Sequence, residues 1–535
     1  MTETHVDPQK WQEISSFLGQ DLLNYMLANA GDVQPSDLDE KQREVAKFIV
    51  AAVAGANLGE WDSVRRSHTV MQAFCAYEPD LGRSLATALH FQSGGVLPDI
   101  ESNDELEKTL CYLALDAFPG LLVNLTQEGI TTTGHLFTHP LRQQATNLMF
   151  SPDEPLMRLF PNADFEADAK PDVYNDMGLV AYTRWSDGSM GTVQFIALAE
   201  TILRKASGAP QPGRTALESY VASVRQSLRL ARDLAARKEV TLIAIAGCPG
   251  SSLVDGTSEL GLAEGRIRLM GVPERSLVSY ATTGTVVIEI PVKLKLEELS
   301  VSQEGLQLPT PANILTGQEY TQQVLRNASR ARMSILLASN EGETLVTGQS
   351  FVSWSNPVSS GHHQIHAPNP WRPSLYWSRP LQPDDEANIR HWETLLAQAP
   401  QGLNTGQERL LSAVNERDNP IDGFIDAVIV WENLFGAAGE TTLRVCGSLA
   451  HVLEPNDADK RLALYKDAKK LYEKRSKLVH GSEQRISHAD AYDHWRVSIQ
   501  HAIAAWRRVL ESDHLRDQKT SMDRGIAVLI GGYSG

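Results

Sequence analysis

The distribution of apolar residues constrains the fold of this chain more than any other sequence feature. Apolar residues recur at helical spacing in the first 125 residues and again from about residue 386 to 512. Between these regions, the segments Glu239–Ala246 and Thr285–Val292 are rich in β-branched residues, which favour strands. The sequence therefore predicts a multidomain, mainly α protein with a mixed α/β middle domain.

Five segments follow from this pattern. They are a helical N-terminal domain at 1–149, an acidic linker or loop at 150–178, a mixed α/β domain at 179–385, a helical domain at 386–514 and a C-terminal tail at 515–535. The linker is predicted because residues 151–176 are rich in Pro and Asp. Within the middle domain, Met333–Ala338 is predicted to be a further strand.

Composition limits the partners and the compartment. The 535 residues include 49 Lys and Arg against 66 Asp and Glu, a formal charge of −17, which argues against a coating of non-specific nucleic-acid contacts but allows a local basic patch. No secretory signal and no apolar stretch long enough to span a bilayer is visible, so a cytoplasmic protein without a membrane partner is predicted. The cysteines lie far apart without a CxxC pair and are predicted to be reduced core residues: Cys75, Cys111, Cys248 and Cys446.

Two weaker motifs have ordinary structural explanations. The segment Gly247–Ser252 follows a predicted strand, where phosphate-binding loops often lie, but it lacks the Gly-Lys-Ser/Thr of a P-loop, and Pro249 has no amide hydrogen. A plain turn is predicted, with a nucleotide-binding loop as the alternative. Histidines cluster in two places without obvious acidic or cysteine partners, so neither a metal site nor a cofactor is predicted there: His135 and His139, and His362, His363 and His366.

The segment 461–481 carries the clearest chemical signal. Its apolar residues at helical spacing predict a helix: Leu464, Ala468, Leu471, Tyr472, Leu478 and Val479. Arg475 lies on the same stripe and needs an anion, a carboxylate or an interface, because burying an unpaired charge is costly. His480 ends the predicted helix, and Gly481 is suited to cap it. A purely structural role also fits this spacing, with the arginine paired to a neighbouring helix and the histidine helping to end its own.

The residues Arg475–His480 (RSKLVH) match the R-x4–6-H motif of HEPN domains, including the polar residue directly after the arginine. The surrounding LYEKRSKLVHG and the earlier predicted helix Ile425–Gly436 resemble the ApeA-like HEPN subgroup. Two further predicted helices, Arg444–Leu453 and Ala489–Leu510, complete a bundle of the expected size. The resemblance covers about 390–512 and implies that the C-terminal domain is a HEPN-type helical bundle.

This resemblance implies a metal-independent endoribonuclease that acts as a homodimer, with two motifs facing each other across a composite cleft. His480 is expected to transfer protons near neutral pH, and Arg475 to stabilise charge on the pentavalent phosphorane. Ser476 is expected to orient this pair, and Glu432 to hold Arg475 or His480 from a facing helix. Attack by the RNA 2′-hydroxyl leaves a 2′,3′-cyclic phosphate and a 5′-hydroxyl.

Local charge favours RNA binding at this helix. Between Lys460 and Arg485 there are nine basic and three acidic residues, a net charge of +6 in a chain of −17. A phosphate backbone is attracted to such a patch. The residues expected to contact RNA are Lys470, Lys474, Lys477 and Arg485. For Lys466, Lys469 and Lys470 taken singly, a solvated helical face is the favoured alternative.

Proteins of this architecture are often toxins or anti-phage abortive-infection effectors, so the resemblance implies such a role, with the first 385 residues regulating the C-terminal domain. It leaves a sensor ligand, a phage component or an antitoxin open as the regulator. The alternative is a non-catalytic HEPN module that dimerises, binds RNA or acts as a scaffold. The dimer interface is expected through 424–435 and 462–480. This interface is predicted because the helices carry more apolar residues than one bundle needs to fill its core. The alternative is that these residues pack against the middle domain. They are Phe424, Val428, Trp431, Phe435, Trp495, Ile499, Ile503 and Trp506.

Overall fold

The predicted order of a helical region, a mixed region and a second helical region is present in the computed structural model of the protein. None of the helices in the described residues is long and apolar enough to cross a membrane. The structure describes residues 8–29, 34–54, 63–123, 136, 139–165, 179–275, 285–302, 305, 311–340, 344–345, 347–359, 362–366, 379–436, 441–481, 486–531 and 533.

In the described residues of the N-terminal region, the regular elements are helices apart from one short hairpin. The core of this region is formed by apolar residues at helical spacing, as Leu110, Leu113 and Ala114 of the sixth helix show, because each is fully buried. The elements are α1 (Pro8–Leu18), α2 (Gln20–Met26), α3 (Glu40–Ala54), α4 (Ser63–Val70), β1 (Tyr77–Glu78), β2 (Arg83–Ser84), α5 (Leu85–Gln92), α6 (Glu105–Leu121) and α7 (Pro140–Met149).

The segment predicted as a linker, 150–178, is structured in its first part. A 3₁₀-helix at Pro155–Leu159 buries Leu156 and Leu159 in the core. Residues 166–178 lie outside the described residues.

The middle region is built on a six-stranded antiparallel sheet and a smaller three-stranded sheet. The strand order is β11-β10-β5-β8-β7-β6 in the larger sheet and β4-β3-β9 in the smaller one. The elements are β3 (Val180–Trp185), β4 (Met190–Gln194), α8 (Leu198–Lys205), α9 (Ala216–Ala235), β5 (Val240–Gly247), β6 (Glu259–Gly261), β7 (Arg266–Leu269), α10 (Val272–Arg275), β8 (Val286–Leu294), β9 (Leu296–Ser300), α11 (Pro311–Leu337), β10 (Phe351–Ser355) and β11 (His362–His366).

The strand predicted at Met333–Ala338 is wrong. Residues 333–337 form the end of α11, and Ala338 follows it directly. Met333, Ile335 and Leu336 are all buried, because this end of α11 packs against β8 and against helices of the C-terminal region. Burial on every side removes the polar face that reveals a helix, so a short apolar run of this kind has no helical period.

The C-terminal region is a helical bundle arranged around one central helix, α14. That helix packs against α13, α15, α16, α17 and α19, which explains why its sequence is so apolar. The elements are α12 (Asp385–Gln398), α13 (Asn404–Asn415), α14 (Pro420–Phe435), α15 (Thr441–Leu453), α16 (Ala458–Val479), α17 (His488–Glu511), α18 (Asp513–Arg516) and α19 (Ser521–Leu529).

The apolar residues that suggest a dimer interface on α14 and α17 are buried within one chain. Phe424, Val428, Trp431, Phe435, Trp495, Ile499 and Trp506 are 0% exposed, and Ile503 is 5% exposed. Packing inside the bundle accounts for them, so they leave no free apolar surface. The interface through 424–435 was expected on the premise that these residues exceed the needs of one bundle, and that premise is wrong. On the other expected segment, 462–480, Leu462 and Val479 are 52% and 49% exposed.

The predicted tail, 515–535, contributes to the same bundle. Its helix α19 packs on α14 and α15, and the Arg524 side chain is 1% exposed. The guanidinium donates to the backbone carbonyls of Leu434, Leu515 and Gln518 at 2.9, 3.1 and 2.9 Å. Burial lowers the pKa of Arg524 to about 10, so the side chain remains charged at neutral pH. Arg524 thereby ties the tail to the C-terminal end of α14.

The four cysteines are buried and free, as predicted. Burial raises the pKa of the Cys248 and Cys446 thiols to about 12. Since the thiolate is the reactive form, these side chains act as small apolar core residues.

Candidate active site at the end of helix α16

Helix α16 has a well-defined start and end. The Asp457 carboxylate accepts hydrogen bonds from the amides of Asp459 and Lys460 at 3.1 and 3.0 Å, which satisfies two of the free amides at the helix start. The helix ends at Val479, His480 is its C-cap, and Gly481 has a φ of 69°. That left-handed conformation favours glycine, so the predicted helix end and glycine cap are confirmed.

Arg475 meets a carboxylate from the central helix of the bundle. Its Nη2 lies 3.2 Å from Oε2 of Glu432 on α14, and the two side chains are 18% and 26% exposed. The prediction that this arginine finds an anionic partner is confirmed, and the partner is the predicted Glu432. The ion pair joins α14 to α16 near the end of α16 that carries His480.

Tyr472 is a member of this site that the sequence analysis assigned only to the apolar stripe. Its hydroxyl donates to Oε1 of Glu432 at 2.6 Å, so Glu432 binds Tyr472 and Arg475 with different oxygens. Burial and the Glu432 carboxylate both raise the pKa of Tyr472, which keeps the hydroxyl protonated. The sequence feature that could have identified Tyr472 as a site residue is its three-residue spacing from Arg475, which puts both side chains on one face of the helix.

The Arg475 guanidinium is only partly used by this contact. Its Nε is buried and has no hydrogen-bond partner among the described residues. A guanidinium has five N–H donors, and the contact with Glu432 is made through Nη2. Arg475 therefore has N–H groups that the contact with Glu432 does not use.

His480 and Ser476 lie next to each other at the helix end. The His480 amide donates to the Ser476 carbonyl at 3.0 Å, which closes the last turn, and the His480 side chain is exposed. Within the described part of the chain, no side-chain hydrogen bond joins Ser476 to Arg475 or His480. The structure thus brings the three residues to one helix end, and the orienting role of Ser476 remains a prediction.

The basic residues of α16 differ in their surroundings. Lys470 is highly exposed, and its ammonium lies 2.9 Å from Asp467, a pairing that is weak in solvent and fits the solvated-face alternative. Lys477 is exposed and Lys474 is half-buried, both within one turn of Arg475. Arg485, the fourth residue expected to contact RNA, lies outside the described residues.

The helix that carries Glu432 is fixed by buried polar contacts. Asp426, which is 3% exposed, accepts from Arg409 Nη1 at 2.8 Å and from Arg417 Nε at 2.6 Å. The Trp431 indole donates to the Ser498 carbonyl of α17 at 3.3 Å. Together with Arg524 at the helix end, these contacts hold the position of α14 and therefore of Glu432.

The segment Gly247–Ser252 makes turn contacts. The Cys248 amide donates to the Val286 carbonyl at 2.9 Å, and the Ser251 amide donates to the Cys248 carbonyl at 3.3 Å. Because two of its amides are already bonded, the segment resembles a plain turn more than a phosphate-binding loop.

Of the two histidine clusters, the structure describes the side chain of His139, and its role is structural. His139 accepts from the Leu141 amide through Nδ1, at 3.1 Å, and its Nε2 contacts Asp116 at 3.1 Å. His135 lies outside the described residues, and so do the side chains of His362, His363 and His366 on β11. Among the described residues, no three His, Cys, Asp or Glu side chains are grouped so that they can hold a metal ion.

Comparisons of the chain with protein-family models, with curated proteins and with solved structures find no match.

Proposed function

We propose that residues 386–514 form a HEPN-type domain and that the protein is an endoribonuclease that cleaves RNA without a metal, by attack of the 2′-hydroxyl. The observation that carries this proposal is the pairing of Glu432 with Arg475, five residues before the exposed His480. A guanidinium with unused N–H groups and a solvent-accessible imidazole near the same helix end are the groups that cleavage of a phosphodiester requires.

Each residue has a distinct task in this mechanism. His480 removes the proton of the 2′-hydroxyl or donates a proton to the leaving 5′-oxygen. Arg475 donates hydrogen bonds to the phosphorane oxygens, where negative charge accumulates. Glu432 positions Arg475, and Tyr472 binds the other oxygen of the Glu432 carboxylate. Since the 2′-hydroxyl must align with the leaving oxygen, the substrate is RNA with an accessible single-stranded segment.

The cellular role follows from the same resemblance. We propose a cytoplasmic toxin or abortive-infection effector whose residues 1–385 respond to a ligand, a phage component or an antitoxin. Two active sites face each other in a homodimer, in which the exposed Leu462 and Val479 of α16 provide apolar contact area. Lys474 and Lys477 bind the RNA backbone beside Arg475.

The second candidate is a non-catalytic HEPN module that dimerises, binds RNA or serves as a scaffold. One observation favours it: an arginine paired with a carboxylate of a neighbouring helix, and a histidine at the helix cap, are what a purely structural motif requires. The two functions differ in whether His480 and Arg475 change a chemical rate.

The test is to incubate the purified full-length protein with total RNA in the presence of EDTA and to map the ends of the products. We expect fragments with 2′,3′-cyclic phosphate and 5′-hydroxyl ends. Fragments with 3′-hydroxyl and 5′-phosphate ends would contradict attack by the 2′-hydroxyl, and intact RNA after prolonged incubation would favour the non-catalytic module.

The Glu432→Gln variant tests the positioning of Arg475. Gln keeps the shape of the side chain and an acceptor for Tyr472 but loses the charge that holds the guanidinium. Because misplacing a catalytic group by about 1 Å costs on the order of a hundredfold in rate, we expect RNA cleavage to slow by about tenfold to a hundredfold. The pH profile of cleavage should keep its shape, since His480 is unchanged.

The control for this variant is Tyr472→Phe, which removes the other contact of Glu432 and retains the ion pair. It should lower the free energy of unfolding by about 1 kcal/mol, with a much smaller effect on the rate. If Glu432→Gln changes only the melting temperature and leaves the cleavage rate per folded molecule intact, Glu432 has no positioning role.

A further inference from the structure

A cavity of about 310 Å³ lies in the middle region, and every residue that lines it falls between 205 and 357. Its walls come from the end of α8, from α9 and from strands β5, β7, β8 and β10. This volume is at the lower end of the range for small-molecule sites in proteins. The cavity is separate from α16, so its occupancy does not depend on the proposed ribonuclease function.

The cavity is lined by an unusual number of hydroxyl groups: Ser207, Ser223, Ser227, Thr241, Ser353 and Ser355. Ser227 donates to the Ile202 carbonyl at 2.9 Å, which satisfies it internally. By contrast, the buried hydroxyl oxygens of Ser353 and Ser355 have no hydrogen-bond partner in the described residues. These two residues are two apart on β10 and lie on the same face of the sheet. Leaving a buried hydroxyl unpaired costs about 1–3 kcal/mol, so a polar ligand gains by bonding to them.

The carboxylates at the cavity wall are already neutralised. Glu289 accepts from Arg266 at 2.8 and 3.1 Å. Glu274 accepts from Arg268 through two bonds of 2.8 Å, and the Arg268 side chain is fully buried. Because both acidic side chains are paired with guanidinium groups, they do not need a cationic ligand.

Lys205 supplies a further positive charge at the end of α8. Burial and the neighbouring Arg204 lower the pKa of Lys205 to about 7. The charged groups on the opposite walls are Arg266, Glu274 and Glu289, whose pairing is described above. An anion placed beside Lys205 offsets both the burial and the repulsion from Arg204, so it favours the ionised lysine.

Aliphatic side chains of β5 lie on the same face of the sheet as these two serines. Ile243 and Ile245 line the cavity, and Ile245 is the direct partner of Ser353 in the sheet. Trp354, between the two serines, directs its ring to the opposite face, where the indole Nε1 donates to Oδ2 of Asp187 at 3.0 Å. Hydroxyls beside aliphatic side chains suit the mixed polar and apolar faces of a sugar ring.

We propose that this cavity binds a small hydroxylated anion of the sugar-phosphate class, with Lys205 facing the anionic group and Ser353 and Ser355 bonding to ligand hydroxyls. The two kinds of group lie on different walls of the cavity, with the lysine at the end of α8 and the unpaired hydroxyls on β10. The site gives the middle region a ligand to which a regulatory domain can respond.

The test is calorimetric titration of the full-length protein with ribose 5-phosphate, and with ribose and inorganic phosphate as separate arms. We expect ribose 5-phosphate to bind at least tenfold more tightly than either fragment, since only it reaches both walls. Binding should take up a proton above pH 7, seen as a dependence of the heat on the buffer. Affinity should therefore fall as pH rises above about 7, by up to tenfold per pH unit, because less of Lys205 is ionised in the free protein.

Two variants with matched controls locate the binding. Lys205→Met should reduce the affinity at least tenfold and remove its dependence on pH above 7, whereas Lys238→Met, at an exposed lysine near the end of α9, should leave both unchanged. Ser353→Ala should weaken binding without lowering the melting temperature, because its hydroxyl is unpaired. Ser498→Ala removes another buried, unpaired hydroxyl outside the cavity and should not affect binding.

Three results would overturn the proposal. These are no heat of binding with ribose 5-phosphate at millimolar concentrations, equal affinity for inorganic phosphate alone, or unchanged binding to a folded Lys205→Met variant. If ribose 5-phosphate gives no heat of binding, the cavity is a water-filled space and not a site for this class of ligand.

Discussion

We expect the His480→Ala variant to cleave RNA about 10²–10⁴-fold more slowly than the wild-type protein, which is the contribution typical of a general acid or base. The His480 side chain is exposed at the cap of α16, so its removal leaves no buried group without a partner. The melting temperature should therefore stay close to that of the wild type. Single-turnover cleavage of a labelled RNA measures the rate, and growth on induction shows whether toxicity is lost with it.

The Arg475→Ala variant is expected to lose a similar factor, about 10²–10³-fold, because a donor to the charged phosphorane disappears. Arg475→Lys should recover little of this loss, since a lysine cannot form the planar, bidentate contact. The controls are His514→Ala and Arg496→Ala, which change an exposed histidine and an exposed arginine of the same bundle away from α16. Wild-type rates in both His480→Ala and Arg475→Ala would show that the site lies elsewhere.

The largest effect on stability is expected from Arg524→Leu. This change leaves the carbonyls of Leu434, Leu515 and Gln518 without their donor in a region where Arg524 itself is 1% exposed. Because each unpaired buried carbonyl costs about 1–3 kcal/mol, the free energy of unfolding should fall by about 3 kcal/mol or more. Urea unfolding followed by tryptophan fluorescence suits this measurement, since Trp431 and Trp506 are buried in the same bundle.

Two comparisons sharpen this result. Arg508→Leu replaces an arginine of α17 that is about half exposed, and it should change stability by less than about 0.5 kcal/mol. Arg524→Lys keeps the charge but cannot reach three carbonyls at once, so it should be nearly as unstable as Arg524→Leu. A loss below about 1 kcal/mol in Arg524→Leu would mean that water replaces the guanidinium and that α19 is dispensable for α14.

Local features of the sequence were sufficient for most of the secondary structure and for part of the candidate site. The strands β5 and β8 lie close to the predicted β-branched runs, and the helices α14 to α17 lie close to the predicted ones. The end of α16 at His480 followed from Gly481, because cap chemistry depends on adjacent residues. The pairing of Arg475 with a carboxylate followed from its place on an apolar stripe, since a partly buried positive charge needs an anionic partner, whichever helix supplies that partner.

The tertiary structure decided everything that depends on residues far apart in the chain. It showed that residues 333–337 form the end of a helix. The sequence did not reveal this helix because its residues are buried on all sides and therefore lack a helical period of polar residues. It showed that the apolar residues of α14 and α17 that suggested a dimer interface belong to the core of the bundle, since only the packing of the helices shows which of their faces are buried. It placed the Tyr472 hydroxyl on Glu432, the Arg524 guanidinium on the end of α14, and the Ser353 hydroxyl without a partner at the wall of a cavity. The sequence by itself determined the order of a helical, a mixed and a second helical region and the need of Arg475 for an anion, because both arise from neighbouring residues. Which groups meet across the fold was decided by long-range packing.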